Sequence, residues 1–178
     1  GLQHYRLARD IEIAVIDGAR GIGNGWPLPA GPLREPASRL ATVDAVVVNG
    51  GDATGAFPQA MAMQLEGDSF RNLLDAQQPV TAAYFRDQQV FAIAGIGNPQ
   101  RFFAQLQRLG LTPVTRAFPD HHAYTAQDLQ FAGGHPVVMT EKDAVKCERV
   151  CNENFWALRV DAEVDPPLGE LILRKIGK

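Results

Sequence analysis

The 178-residue sequence predicts an α/β fold in which short strands alternate with helices around a mostly parallel sheet. Two observations support this prediction. Most apolar runs are short, rich in β-branched residues and nearly continuous, which is typical of strands that are covered on both faces. Patterns with helical spacing lie between several of these runs, and that alternation favours parallel pairing.

The strands are predicted where the apolar runs occur, at residues 11–17, 45–49, 80–85, 90–94, 113–117, 137–140 and 155–160. Helices are predicted over 99–109, 143–149 and 167–176, and the first of them ends before Gly110, which suits a helix C-cap. Thr125 followed by Asp128 predicts a capping box at the start of another helix.

One segment, residues 18–36, interrupts this rhythm. It contains five glycines and four prolines among few apolar residues, so it is too long and too rigid for a simple connector. We expect it to be a functional loop. A change of composition at residues 87–89 predicts two lobes, 1–86 and 90–178.

The composition excludes several classes of protein. With 17 basic and 20 acidic residues the net charge is −3, which gives no support to nucleic-acid binding. No apolar run approaches the roughly 18 residues needed to span a bilayer, and no signal peptide precedes the first strand. Cys147 and Cys151 lack the further ligands that a metal site needs, so we expect free, reduced thiols in a cytoplasmic protein.

Two motifs that follow strands each allow two interpretations. The Gly95-Ile96-Gly97 turn opens a helix and could contact an anion, but Gln100 replaces the third glycine of a dinucleotide fingerprint, so a structural tight turn is favoured. Asp120-His121-His122 could orient an imidazole or support a metal, or its Asp could only cap the next helix.

Two further motifs are equally open. Thr140-Glu141-Lys142-Asp143 could serve binding or acid–base chemistry, although a helix N-cap with first-turn acids is favoured. At the end of the Gly/Pro-rich loop, Arg34 could clamp a phosphate and Glu35 could ligate Mg²⁺, or the two could form an exposed ion pair.

Taken in order, these motifs resemble one family over essentially the whole chain. The resemblance rests on the opening residues 1–7, the loop that ends at 33–36, Asn49-Gly50-Gly51, Asp120-His121 and the 139–147 segment. The family is tetraacyldisaccharide 4′-kinase, which uses ATP to phosphorylate the 4′ position of the lipid A disaccharide precursor. The resemblance implies a P-loop-kinase-type three-layer α/β/α fold. In this chain that fold would comprise the remainder of a first lobe and a smaller, Rossmann-like βαβαβα lobe.

The sequence opens on Gly1-Leu2-Gln3-His4 and runs almost directly into the first predicted strand, and the resemblance makes this abrupt start interpretable. Family members carry an Asp-Asp pair directly before the Gly-Leu-Gln-His that opens this chain. They also carry a P-loop, a further catalytic Asp and a membrane-associating helix nearer their N-terminus. No Gly-x-x-x-x-Gly-Lys-Ser/Thr occurs in this sequence. We therefore expect a soluble carboxyl-terminal portion that is inactive alone, from an enzyme at the cytoplasmic face of the inner membrane.

The resemblance implies a role for each matching site residue. His121 corresponds to the histidine thought to pair with the catalytic Asp, and the resemblance favours it over His122. Glu35 corresponds to a Mg²⁺ contact. Four residues are expected at substrate or phosphate: Gln3, His4, Arg34 and Asp120.

The expected cofactors are ATP and Mg²⁺. The expected partners are the lipid A disaccharide precursor and, through the missing upstream segment, the inner-membrane surface, with no nucleic acid and no obligate protein partner. Two alternatives stay open. One is a Rossmann-like nucleotide-binding domain that uses Gly95 and Gly97. The other is a lipid- or sugar-binding lobe without catalysis, whose contacts would be Trp26, Leu28 and Leu33.

Overall fold

A computed structural model describes residues 2–51, 57–75 and 77–177 and confirms the α/β fold. The strands are β1 (Ile13–Asp17), β2 (Ala45–Asn49), β3 (Met61–Asn72), β4 (Val80–Thr81), β5 (Phe91–Ala94), β6 (Val114–Ala117), β7 (Val137–Thr140) and β8 (Phe155–Val164). The α-helices are α1 (Pro99–Arg108), α2 (Ala126–Leu129), α3 (Glu141–Cys147) and α4 (Pro167–Ile176). Within these described ranges, no helix is long and apolar enough to cross a bilayer.

The chain divides into two compact units. Gly1–Glu66 and Asp161–Lys178 form the first unit, and Gly67–Val160 forms the second. Strands β3 and β8 each begin in one unit and end in the other. The predicted lobes, 1–86 and 90–178, rest on the change of composition at residues 87–89 and stay a prediction.

The first unit is built on parallel strands. β1 pairs with β2 from Ile13 opposite Ala45 to Asp17 opposite Asn49, and β2 pairs with the start of β3. Its core is small, with Ile16 and Val48 buried at the centre. Ala14, Ala45 and Val47, on the same two strands, are also buried.

The second unit contains a parallel sheet in the order β8-β7-β5-β6. Alternate residues of its central strands enter two different clusters. Ala92 and Val138 join one cluster with Phe85, Phe102, Leu106 and Trp156, whereas Ile93 and Met139 join the other with Tyr124, Leu129 and Cys147. The sheet is thus covered on both faces, which explains its nearly continuous apolar strands.

The predicted strand over 80–85 is wrong beyond its first two residues. Only Val80 and Thr81 are extended, and a 3₁₀ helix follows over Ala82–Phe85. That turn places the Phe85 ring 5.0 Å from the Phe70 ring and 5.5 Å from the Trp156 ring, both edge to face. Packing of aromatic rings therefore outweighs the strand propensity of the segment.

Other boundaries differ by a few residues. The helix predicted over 143–149 is Glu141–Cys147, because the Thr140 hydroxyl accepts a hydrogen bond from the Asp143 amide and caps the helix earlier. β8 continues to Val164, and β3 was not predicted. The capping box of Thr125 and Asp128 is confirmed, at the start of the short helix α2.

Candidate functional site

An open cleft of about 700 Å³ lies in the first unit, along β1 and the turn that follows its carboxyl end. The segment from Pro32 to Leu40 forms its other wall. Its charged side chains belong to Asp17, Arg20, Arg34, Glu35 and Arg39. In open parallel sheets, ligands bind beyond the carboxyl ends of the strands, so this cleft is the first candidate site.

The Gly/Pro-rich loop is held by its own backbone. The Leu28 amide donates to the Leu33 carbonyl at 2.7 Å, and the Leu33 amide donates to the Trp26 carbonyl at 3.2 Å. The Asn24 side-chain amide donates to the Ala30 carbonyl at 2.9 Å. A Cβ on Gly31 would lie 2.3 Å from the Trp26 carbonyl oxygen, so only glycine fits there.

A chain of charged groups ties the end of this loop to β1. Arg39 Nη2 lies 2.7 Å from Glu12 Oε2, and Arg9 Nη1 lies 2.9 Å from Glu12 Oε1. The hydrogen bond from Arg39 lowers the pKa of Glu12. The same guanidinium also approaches Glu35, with Arg39 Nε 3.9 Å from Glu35 Oε1. The Tyr5 hydroxyl donates a hydrogen bond to that oxygen. That hydrogen bond raises the pKa of Tyr5.

Three predicted site residues line the cleft together, namely Gln3, Arg34 and Glu35. His4 does not line it; its carbonyl accepts a hydrogen bond from Arg9 Nη2 at 2.7 Å, and its side chain is exposed. Asp120 and His121 belong to the second unit. The roles assigned to these six residues stay predictions.

Glu35 can supply only part of a magnesium site. Within residues 2–51, 57–75 and 77–177, no group of three or more His, Cys, Asp or Glu side chains could hold a metal. Asp17 lines the same cleft, but its Oδ1 accepts the Ala19 amide at 2.9 Å. Because Mg²⁺ combines one or two carboxylates with phosphate oxygens and water, Glu35 fits a metal that arrives with a phosphorylated ligand.

In the second unit, the buried carboxylate of Asp143 fixes the turn after β5. Its Oδ2 accepts the Gly95 amide at 3.2 Å and the Thr140 hydroxyl at 2.8 Å. Lys146 Nζ lies 3.0 Å from Asp143 Oδ1 and donates to the Gly95 carbonyl at 3.1 Å. Since the Gly95 amide is bonded within the protein, the tight-turn interpretation of this glycine motif is favoured.

The same turn packs against the loop that follows β6. A Cβ on Gly95 would lie 2.8 Å from the Tyr124 hydroxyl and 3.2 Å from the Pro119 carbonyl oxygen, whereas a Cβ on Gly97 would meet nothing closer than 3.7 Å. Burial and the charge of Asp143 raise the pKa of Tyr124. The neutral, buried side chain of Tyr124 therefore lies between the Gly95 turn and the loop that follows β6.

His121 stands out from this loop. Its side chain is 90% exposed, its φ is 62°, and its amide donates to Asp120 Oδ1 at 3.0 Å. His121 Nε2 lies 3.8 Å from Asp120 Oδ2. Few non-glycine residues adopt a positive φ, and such residues concentrate at functional sites.

His122, by contrast, is an anchor. Its ring stacks on Phe118 with the centroids 4.7 Å apart, and its Nε2 lies 3.2 Å from Asp128 Oδ2. Hydrogen bonds from Thr125, together with His122, lower the pKa of Asp128 to about 2. The loop therefore packs one half-buried histidine as a support and presents the other to solvent.

Sequence reasoning missed two parts of these sites. It assigned nothing to Tyr5 and Arg39, which contact Glu35. The i, i+4 spacing of Glu35 and Arg39 is a signal that could have found Arg39, whereas Tyr5 lies 30 positions from Glu35 and no spacing connects them. It also left Asp143 between a helix cap and binding or acid–base chemistry, and it did not predict that this carboxylate is buried against the Gly95 turn. The i, i+4 spacing of Asp143 and Cys147 does place both on one helix face, and that is the signal by which its burial could have been found.

A parallel α/β fold with an arginine-bearing cleft is typical of proteins that bind phosphorylated ligands. The family model described as Tetraacyldisaccharide-1-P 4′-kinase matches residues 1–177. The chain belongs to this family.

Individual relatives agree with this assignment. The chain is 52% identical over 177 residues to the tetraacyldisaccharide 4′-kinase of Methylobacillus flagellatus, covering 99% of this chain and 52% of that one. It is 51% identical to the enzyme of the same name from Dechloromonas aromatica, covering 99% and 54%. Among solved structures it is similar to LpxK from Aquifex aeolicus, in an "apo" form in complex with ATP. That similarity has a TM-score of 0.72 at 27% identity and covers 98% of this chain and 55% of the other. The chain spans about half the length of the curated relatives it matches.

Proposed function

We propose that this chain is the carboxyl-terminal portion of an ATP-dependent tetraacyldisaccharide 4′-kinase. The family match across residues 1–177 is the observation that carries the proposal. In the reaction, the 4′-hydroxyl oxygen of the tetraacyldisaccharide 1-phosphate forms a bond to the γ-phosphorus. The bond from that phosphorus to the β–γ bridging oxygen breaks, and ADP leaves while the hydroxyl proton passes to a carboxylate.

The cleft of the first unit provides the phosphate side of this proposal. Arg34 and Arg20 have exposed guanidinium groups on its walls, and a guanidinium binds phosphate oxygens through two parallel hydrogen bonds. Glu35 would contact Mg²⁺ held by the nucleotide, which would supply charge neutralisation at the transferred phosphate. The ATP in the Aquifex aeolicus relative supports a nucleotide as the phosphoryl donor.

His121 provides the acid–base side. Its ring is exposed and can therefore meet a carboxylate from outside the loop, and its Nε2 lies 3.8 Å from Asp120 Oδ2. A histidine so placed would orient the carboxylate that accepts the proton of the sugar hydroxyl. His122 cannot share this role, because its ring is stacked on Phe118 and bonded to Asp128.

The chain by itself is expected to bind ATP poorly and to show no turnover. Phosphoryl transfer depends on the amides and lysine of a P-loop, and this sequence contains no such motif. The lysines of the 140–147 segment follow no glycine-rich loop; Lys146 is bonded to Asp143. Measurable kinase activity of the purified 178-residue chain would overturn this part of the proposal.

A chimaera tests the rest. The corresponding half of the Methylobacillus flagellatus enzyme is replaced by this chain, and phosphorylation of tetraacyldisaccharide 1-phosphate is measured. We expect kinase activity in the chimaera, and we expect His121→Ala in it to lower kcat by about 10²-fold or more while KM changes little.

His122→Ala is the matched control, because it removes the neighbouring imidazole. It should destabilise the loop and leave a larger share of kcat than His121→Ala does. If His121→Ala raised KM and left kcat unchanged, His121 would be a binding residue. A folded but inactive chimaera would count against the proposed function as a whole.

We further propose that the whole protein acts at the cytoplasmic face of the inner membrane. The substrate class supports a membrane surface, since a lipid with four acyl chains resides in a bilayer. The Rossmann-like alternative is disfavoured, because the Gly95 amide that would meet a pyrophosphate is bonded to Asp143. Tight binding of a dinucleotide by this chain would restore that alternative. The lipid-binding alternative is compatible with the kinase and concerns the Gly/Pro-rich loop.

A further inference from the structure

The residues around His121 must hold its backbone in place. The His122 amide donates to the Pro119 carbonyl at 3.1 Å, so residues 119–122 form a β-turn with His121 at its third position. The φ of His121 is 62°, and turns that need a positive φ at this position usually place Gly or Asn there. Such a conformation persists only where neighbouring residues impose it, so contacts on either side of the turn must fix this geometry.

Asp128 makes one contact more than a helix cap requires. In its capping box, the Asp128 carboxylate accepts the Thr125 amide at 2.9 Å, and the Thr125 hydroxyl accepts the Asp128 amide at 3.3 Å. The same Oδ2 atom of Asp128 also lies 3.2 Å from His122 Nε2. That contact extends from helix α2 to the loop that carries His121, and capping does not explain it.

The contact also fixes the His122 ring. Hydrogen bonds from Thr125 lower the pKa of Asp128 to about 2, so the carboxylate is ionised at neutral pH and can only accept a hydrogen bond. His122 Nε2 must therefore carry the hydrogen in this contact. The ring is held on its face by Phe118, with the centroids 4.7 Å apart, and at its edge by Asp128.

Arg116 completes a closed circuit of contacts beside the turn. Its guanidinium carbon lies 4.9 Å from the centre of the Phe118 ring, and its Nη1 donates to the Asp128 carbonyl at 3.3 Å. The circuit of Arg116, Phe118, His122 and Asp128 is here termed the Asp128 brace. The brace fixes both ends of the segment 119–121, so the backbone of that segment has little freedom.

We propose that Asp128 is a positioning residue for His121, and that it acts through His122 and Phe118 to hold the turn that presents the His121 ring. Asp128 itself does not touch the reacting groups. Its contribution is orientation, because a displacement of about 1 Å at a catalytic group can lower a rate by about 10²-fold. The proposal rests on the proposed function for the role of His121, whereas the geometry of the turn can be tested without it.

Three substitutions in the chimaera separate positioning from capping. Asp128→Ala removes both the cap and the contact with His122. His122→Phe retains a ring that can stack on Phe118 but lacks the nitrogen that meets Asp128. Thr125→Ala is the matched control, because it removes the cap hydroxyl and leaves the His122 contact.

We expect the first two variants to lower kcat by about tenfold with little change in KM, and Thr125→Ala to change kcat by less than about twofold. The double variant of Asp128→Ala and His122→Phe should lower kcat no further than either change alone, since both break one path. Circular dichroism checks that each variant is folded. If Asp128→Ala does not fold, His122→Phe against Thr125→Ala decides the test.

The 178-residue chain allows a second test that does not need kinase activity. A positive φ brings the amide hydrogen of His121 close to its own Hα, so the cross-peak between them should be strong in the NMR spectrum of the wild type. Asp128→Ala and His122→Phe should weaken this cross-peak and speed the exchange of the His122 amide, which closes the turn, with water. Thr125→Ala should leave both nearly unchanged.

Three outcomes would overturn the proposal. Equal losses of kcat in Thr125→Ala and Asp128→Ala would show that Asp128 only caps α2. Additive losses in the double variant would show that Asp128 and His122 act separately. An unchanged His121 cross-peak in both Asp128→Ala and His122→Phe would show that the brace does not set the turn. A chimaera without activity would instead count against the proposed function, and the NMR spectra of the chain would still decide whether Asp128 holds the turn.

Discussion

The two loops that bear the candidate sites are stabilised in opposite ways. In the second unit, one buried carboxylate, Asp143, gathers the Gly95 turn, the Thr140 cap and the Lys146 ammonium. In the first unit, the Gly/Pro-rich loop relies on its own backbone hydrogen bonds and on partly exposed ion pairs centred on Glu12 and Arg39.

The two kinds of contact contribute differently to the free energy of unfolding. A buried charge that loses its partners is costly, because water cannot replace them. A partly exposed ion pair is screened and replaceable, so its contribution is smaller. The second unit can therefore hold His121 on a firm support, whereas the cleft of the first unit has a wall that can adjust around a ligand.

The largest effect is expected for Asp143→Ala. The variant leaves the Gly95 amide, the Thr140 hydroxyl and Lys146 without their shared acceptor, and we expect it to destabilise the second unit by about 3 kcal/mol. Trp156 fluorescence in the Trp26→Phe background reports urea unfolding of this unit. Glu141→Ala is the control, since it removes an exposed acid from the same helix turn and should cost about 0.5 kcal/mol. Equal losses in the two variants would refute the buried-anchor interpretation.

A smaller effect is expected for Gly95→Ala. The added Cβ would lie 2.8 Å from the Tyr124 hydroxyl, so the turn and the His121 loop must move apart at a cost of about 1–3 kcal/mol. Gly97→Ala is the matched control two residues away, where the nearest atom lies 3.7 Å from the Cβ. Urea unfolding should separate the two variants clearly. A neutral Gly95→Ala would mean that the turn does not support the loop.

The same contrast explains which features the sequence could predict. β5 and β7 are buried on both faces, so their continuous apolar runs were sufficient to predict them. β3 lacks such a run. Its period of two extends only from Met63 to Ser69 and changes phase at Phe70, so the pattern was too short to reveal the strand.

Local patterns are also insufficient where distant residues decide the outcome. Tyr84 and Phe85 favour a strand by composition, but Trp156, far along the chain, draws them into a 3₁₀ turn. Likewise, Arg39 reaches Glu12 across 27 positions, and no spacing rule connects them. The roles of the site residues followed from family resemblance, because residue chemistry alone left a cap and a catalytic group equally plausible.

The smallest effect, and the one that most sharpens the contrast, is expected for Glu12→Gln in the first unit. Arg39 lowers the pKa of Glu12 below its ordinary value of 4.5. A lowered carboxylate pKa stabilises the folded state above that ordinary value, and the stabilisation is lost as pH falls through the folded-state pKa. The wild type should therefore be more stable than Glu12→Gln at about pH 7, and the difference should vanish towards about pH 2.

Asp143→Ala should lower the stability of the second unit, so an unfolding transition that it does not shift belongs to the first unit. Calorimetry can measure the difference between wild type and Glu12→Gln on that transition. Glu66→Gln, at an exposed position of the same unit, should show no such closing difference. If Asp143→Ala and Glu12→Gln shift one common transition, the two units unfold together and the contrast between their supports is local only.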